Sequence, residues 1–161
     1  AAAPGAAGLR WDTALSETVP FGEVPLGGAR LEPLRALFAR LAAAGFHGVV
    51  EIRSYPGRYC MLGTPGALQL PAADIAYSEC GALGNPLDYA APEALQSPAF
   101  TSLLAAQRAR GQGAPEVQLA AGGAGETVVP YPPHSPLLTA GEWNRAAAAN
   151  NRIEVRTRPL P

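Results

Sequence analysis

The sequence predicts a mixed α/β domain: an α+β sandwich with a β-α-β-α-β core and a long inserted loop between the second strand and the second helix. Three observations carry that expectation. Residues 31–44, LEPLRALFARLAAA, repeat apolar side chains at helical spacing. HGVVEIRSY and the terminal RIEVRTR alternate at strand spacing. Between these regular pieces, residues 56–93 are dense in Gly and Pro and too long for an ordinary connection.

The elements follow in order. Residues 13–26 read as an irregular first strand carrying Leu15, Val19, Phe21 and Val24, with Pro20 and Pro25 favouring a sheet edge. In the first helix, Leu31, Leu34, Leu37, Phe38 and Leu41 form one stripe. Pro33 sits in the first turn, where its missing N–H costs little, and Gly45 ends the helix. In the second strand Val50, Ile52 and Ser54 share one face, and Val49, Glu51 and Arg53 the other. Residues 98–110 form a second helix with Phe100, Leu103, Leu104 and Gln107 on a stripe, stopped by Gly111. EVQLAAGGAGETVVP reads as a strand and a glycine-rich turn, followed by a proline-rich loop with Tyr131 and His134. Residues 140–150 make a third helix and 152–158 a last strand. This order suits a sheet with helices packed on one or both faces.

Composition bounds the function. The chain has 161 residues, which suits one domain. All twelve basic residues are arginine, and the net charge of −1 provides no overall basic field for nucleic acid or acidic lipid. The 18 Gly and 17 Pro would suggest disorder elsewhere, but a hydrophobic fraction of 48% argues against it. No run of ~18 apolar residues exists to span a membrane. The Ala/Gly/Pro-rich opening, residues 1–12, reads as a flexible lead-in or the end of a tether, so that attachment to a membrane would lie upstream of Ala1. Residues 13–161 then form the single domain. Cys60 and Cys80 would pair in an oxidising compartment and remain thiols in a reducing one.

Catalytic and cofactor signals are weak. His47 and His134 show no sequence relation to a nucleophile with an orienting partner. GGAGE at 122–126 lacks the Gly-Lys-Ser/Thr ending of a phosphate loop. Asp74, Glu79 and Asp88 follow no calcium-loop pattern. The expectation is a non-enzyme with no catalytic residues, no metal and no cofactor.

Several segments together resemble the OmpA-like domain family of the bacterial cell envelope. VPFGEVPLGGARLEPLRALFARLA is similar to the family's opening strand and helix, and GVVEIRSY to its next strand. RGQGAPEVQLAAGGAGETVVP is similar to its helix end, strand and GxGE turn, and NNRIEV to its Asn-Arg-Arg-Val-Glu-Ile run. The resemblance covers roughly residues 13–158. It implies an OmpA-like core, a periplasmic location and a module that grips peptidoglycan through an Asp after the second strand and an Arg early in the second helix. Such a pair suits a zwitterionic diaminopimelate group, because a carboxylate meets its ammonium and a guanidinium fork its carboxylate.

This sequence departs from that pattern. The Asp position falls on Gly57, the helical Arg near Ala99 and an upstream Asn near Pro92. Arg58 stands beside the lost Asp. Asn151 and Arg152 match the family's terminal Asn-Arg, which implies that they border the ligand pocket. The expected partner is therefore an envelope protein, docked or scaffolded through the enlarged loop; the alternative is peptidoglycan held through altered contacts including Arg58, Asn151 and Arg152. In that oxidising setting Cys60 and Cys80 are expected to form a disulfide, which for a loop of ~20 residues stabilises by about 3 kcal/mol.

Overall fold

A computed structural model describes residues 10–161, so the lead-in expected over 1–12 lies outside the described residues as far as residue 9. Trp11 and Asp12 belong to the folded body: β1 spans Asp12–Thr18, and the guanidinium groups of Arg156 and Arg158 lie 5.2 and 4.7 Å from the Trp11 ring.

The described residues are mixed α/β, with three α-helices and a mixed sheet. After β1 come α1 (Leu31–Ala43) and β2 (Gly48–Tyr55). The inserted region holds β3 (Tyr59–Met61) and β4 (Ala82–Gly84). Then follow α2 (Pro98–Ala109), β5 (Glu116–Ala121), α3 (Ala140–Asn150) and β6 (Arg152–Pro159). The main sheet has the order β1-β6-β2-β5. The last strand lies in the middle, antiparallel to both β1 and β2, while β2 and β5 run parallel across α2.

The period-2 pattern separates the two faces of this sheet. Val50, Ile52, Val117, Ile153 and Val155 face Leu34, Leu37 and Phe38 of α1 and Phe100, Leu103 and Leu104 of α2 in one buried cluster. Ser97 starts α2 by accepting the Phe100 N–H at 3.1 Å, with Pro98 in the first turn. Thr139 caps α3 in the same way through Glu142 N–H. The opposite sheet face is charged. Directly opposed residues are Glu51 and Arg156, Arg53 and Glu154, and Tyr55 and Arg152.

Two expectations are corrected. The first strand ends at Thr18 instead of continuing to residue 26, because the Pro20 region turns the chain and Gly22 takes a positive φ of 81°. Region 56–93 is not wholly irregular: β3 and β4 pair antiparallel, and 3-10 turns cover Tyr77–Glu79 and Pro92–Leu95. Three-residue strands are too short to show an alternation. They persist here through packing on α3, whose Asn144 amide accepts the Cys60 N–H at 2.7 Å and donates to the Cys60 carbonyl at 3.0 Å. Cys60 and Cys80 form the disulfide, with Cα atoms 5.4 Å apart. It sits in a second cluster with Leu138, Ala140 and Trp143.

Candidate functional site

The exits of β1, β2 and β5 and the entry of β6 meet at one end of the sheet. Asn151 ties the ends of β1 and β2 to the inserted region. It is 7% exposed; its side-chain oxygen accepts the Gly57 N–H at 3.0 Å and an Asn85 amide proton at 3.1 Å, and its Nδ2 donates to the Val19 carbonyl at 2.7 Å. Asn85 also donates to the Gly57 carbonyl, so both backbone polar groups of Gly57 are taken by side-chain amides. Gly57 itself is dictated by a neighbour: a Cβ at this position would collide with the Ala147 carbonyl of α3. No side chain, acidic or otherwise, fits there without moving the helix.

A cavity of about 380 Å³ opens beside this joint. Its walls come from the turn after β1 (Glu23, Pro25), the end of β2, the inserted region (Asn85, Leu87, Asp88, Leu95) and Asn151. The walls are preformed. The Leu26 N–H bonds the Leu95 carbonyl and the Ser97 N–H bonds the Leu26 carbonyl, which locks the turn after β1 to the start of α2. Among the described residues that line it, two are acidic and none is basic. Glu23 is shared with Arg30, whose guanidinium lies 3.3 Å away and is otherwise committed to the carbonyls of Val24 and Pro25. Asp88 is exposed and accepts the Asn85 N–H at 2.9 Å, with no cationic partner among the described residues.

The sequence-predicted residues are distributed unevenly around this cavity. Asn151 and Pro92 line it; Arg58, Ala99 and Arg152 do not. Arg152 is 5% exposed. Its guanidinium is paired with Glu154 at 2.8 Å, donates to the carbonyls of Asn150 and Glu126, and lies 4.0 Å from the Tyr55 ring centroid. Every arm of the fork thus has an internal partner. Arg58 is exposed; its backbone bonds Tyr131 and Trp143, and its side chain makes no ion pair among the described residues. Ala99 is an exposed first-turn residue of α2.

Behind Asn151 lies Tyr59, 1% exposed and packed edge-on against Phe21. Among the described residues its hydroxyl has no partner in hydrogen-bond geometry, and burial, aided by Tyr131 and only partly offset by the nearby Asn151 side chain, pushes its pKa up to about 12. His134 packs at a tilt against the rings of Tyr77 and Trp143, while Cys60 is locked in the disulfide. Among the described residues no three His, Cys, Asp or Glu side chains group as a metal site.

Sequence reasoning missed Glu23, Asn85 and Leu87 as cavity residues and weighed Asp88 only as a carboxylate for calcium. A local signal existed in Gly84-Asn85-Pro86-Leu87-Asp88: the Asn85 side chain accepts the Leu87 N–H, the Asx turn that Asn-Pro favours, and Asp88 closes back on it. No helix among the described residues is long and apolar enough to cross a membrane. The disulfide is of the kind that oxidising, extracytoplasmic compartments sustain. No protein-family model, curated protein or solved structure matches the chain.

Proposed function

We propose that this chain is a non-catalytic binding domain of the bacterial cell envelope, an OmpA-like module in the periplasm that docks or scaffolds a protein partner rather than gripping peptidoglycan. One observation carries the reading: among the described residues the cavity at the end of β2 has no basic lining side chain, and the adjoining Gly57 has no room for an acidic one. A diaminopimelate zwitterion would leave its carboxylate unpaired there, and an unpaired buried charge is costly. Ala99 offers no replacement for the helical arginine, and Arg152 is held by Glu154 and two carbonyls. The observed order of elements, including the handover from α3 to β6 at Asn151, supports the family assignment. The disulfide supports an extracytoplasmic location.

Co-sedimentation with purified peptidoglycan sacculi tests the reading. The wild-type domain is expected to stay in the supernatant. Sedimentation that Arg58→Ala abolishes would instead favour wall binding through altered contacts, since Arg58 is exposed and unpaired among the described residues.

A further inference from the structure

The cavity at the end of the sheet has walls, a charge and a size, and these select an occupant. We propose that it receives a basic side chain, lysine or arginine, from a partner polypeptide, with Asp88 as the counter-ion. This inference rests on the docking reading above and names the group that docks.

The charge argument comes first. Glu23 is already shared with Arg30, which leaves Asp88 as the lining carboxylate without a cationic partner among the described residues. One Asp88 oxygen is fixed by the Asn85 N–H. That bond orients the carboxylate without neutralising it, so a cation entering the cavity gains a charge-assisted hydrogen bond at a prepared position. The walls supply the second argument. Leu87, Leu95 and Pro25 give the cavity apolar surface suited to methylene groups. A long side chain with an aliphatic stem and a charged tip satisfies both features at once. The cavity's roughly 380 Å³ is at the small end of ligand sites, which suits one inserted side chain.

A polypeptide donor is favoured over a free amino acid or a wall fragment for a chemical reason. A zwitterion carries its carboxylate beside its ammonium, and the cavity has no basic lining side chain among the described residues to receive it. A lysine or arginine within a chain has its main-chain charges removed by peptide bonds and brings the cation alone. The preformed wall, held by the Leu26–Leu95 and Ser97–Leu26 hydrogen bonds and by the Asn85–Asn151 joint, lowers the ordering cost of insertion.

The test uses Nα-acetyl-lysine-N-methylamide, titrated into the isotope-labelled chain while backbone amide resonances are followed. The probe is expected to shift the amides of Asn85, Leu87, Asp88 and Gly122, with a Kd on the order of 1 mM for so small a ligand. The norleucine analogue, equal in stem and lacking charge, is expected to bind about threefold more weakly, as is the lysine probe to Asp88→Asn, the scale of an ion pair to an exposed carboxylate. Asparagine still accepts the Asn85 N–H, so this variant should keep its amide spectrum. Glu23→Gln, which removes a carboxylate already shared with Arg30, is expected to weaken binding less. Equal binding of the norleucine analogue, undiminished binding to Asp88→Asn, or no shifts at the cavity would each overturn the inference. The sacculi experiment separates the two claims. Sedimentation sinks the docking reading itself, whereas a silent lysine probe with sacculi that fail to sediment the domain sinks only the basic side chain.

Discussion

Replacing Asn151 by alanine removes the side chain that joins β1, β2 and the inserted region. Three hydrogen bonds disappear: from Gly57 N–H at 3.0 Å, from Asn85 Nδ2 at 3.1 Å and to the Val19 carbonyl at 2.7 Å. Asn85 keeps its bond to the Gly57 carbonyl, but the Gly57 N–H and Val19 carbonyl lose the partners that satisfied them. Each neutral hydrogen bond contributes about 1 kcal/mol net, and stranding buried groups adds to that, so the loss should total about 3–4 kcal/mol. At about 2–4 °C per kcal/mol for a chain of this size, the thermal midpoint should fall by roughly 10 °C. Urea unfolding followed by circular dichroism measures the effect directly. Arg58→Ala is the control, because that exposed side chain makes no hydrogen bond or ion pair among the described residues and should stay within about 0.5 kcal/mol of wild type. If Asn151→Ala lies within about 1 kcal/mol of wild type, the argument that this amide holds the end of the sheet together is wrong.

Three further outcomes are expected. Cys60→Ala with Cys80→Ala, or reduction of the disulfide, should lower stability by about 3 kcal/mol through the freed loop between cysteines 20 residues apart, read as a shift of the urea midpoint. Glu51 is held below its ordinary pKa of 4.5, first by the Arg53 hydrogen bond and also by Arg156, against the opposing effect of burial. Its contribution is therefore present above about 4.5 and is lost as pH falls through the depressed folded value; Glu51→Gln should flatten that part of the acid limb in a pH series of unfolding curves. Tyr59→Phe should leave stability unchanged or raise it by about 1 kcal/mol, because it deletes a buried hydroxyl without a hydrogen-bond partner among the described residues; a loss of more than about 1 kcal/mol in thermal unfolding would contradict that.

Much of the fold was readable in the sequence because its causes are local. The stripe Leu31–Leu34–Leu37–Phe38–Leu41 specifies α1, and the alternation in GVVEIRSY separates Val50 and Ile52 from Glu51 and Arg53. The polar run Asn150, Asn151 and Arg152 stands at the handover from α3 to β6, and its role is not legible from the sequence. All three are buried, at 2%, 7% and 5% exposure. Asn150 accepts the N–H groups of Val128 and Val129, Asn151 holds Gly57 and Val19, and Arg152 stacks on Tyr55. Those partners are distant in sequence, so no spacing rule points to them.

The cavity was hidden for the same reason. Its walls combine a turn near residue 23, an Asx turn at residue 85 and an amide at residue 151. The disulfide was expected from the setting that the resemblance implies, and its partners are found 5.4 Å apart between Cα atoms. β3 and β4 were unreadable, since a three-residue strand shows too little periodicity to distinguish it from a loop.

The proposed function rests on a cavity without a paired carboxylate and guanidinium for a zwitterion among the described residues. Calorimetric titration with a diaminopimelate-containing stem peptide tests it most directly. The account predicts no measurable heat of binding up to about 1 mM peptide, a regime that would reveal any complex stronger than roughly 4 kcal/mol. Saturable one-to-one binding, accompanied by amide shifts at Asn85, Asp88 and Asn151, would contradict it.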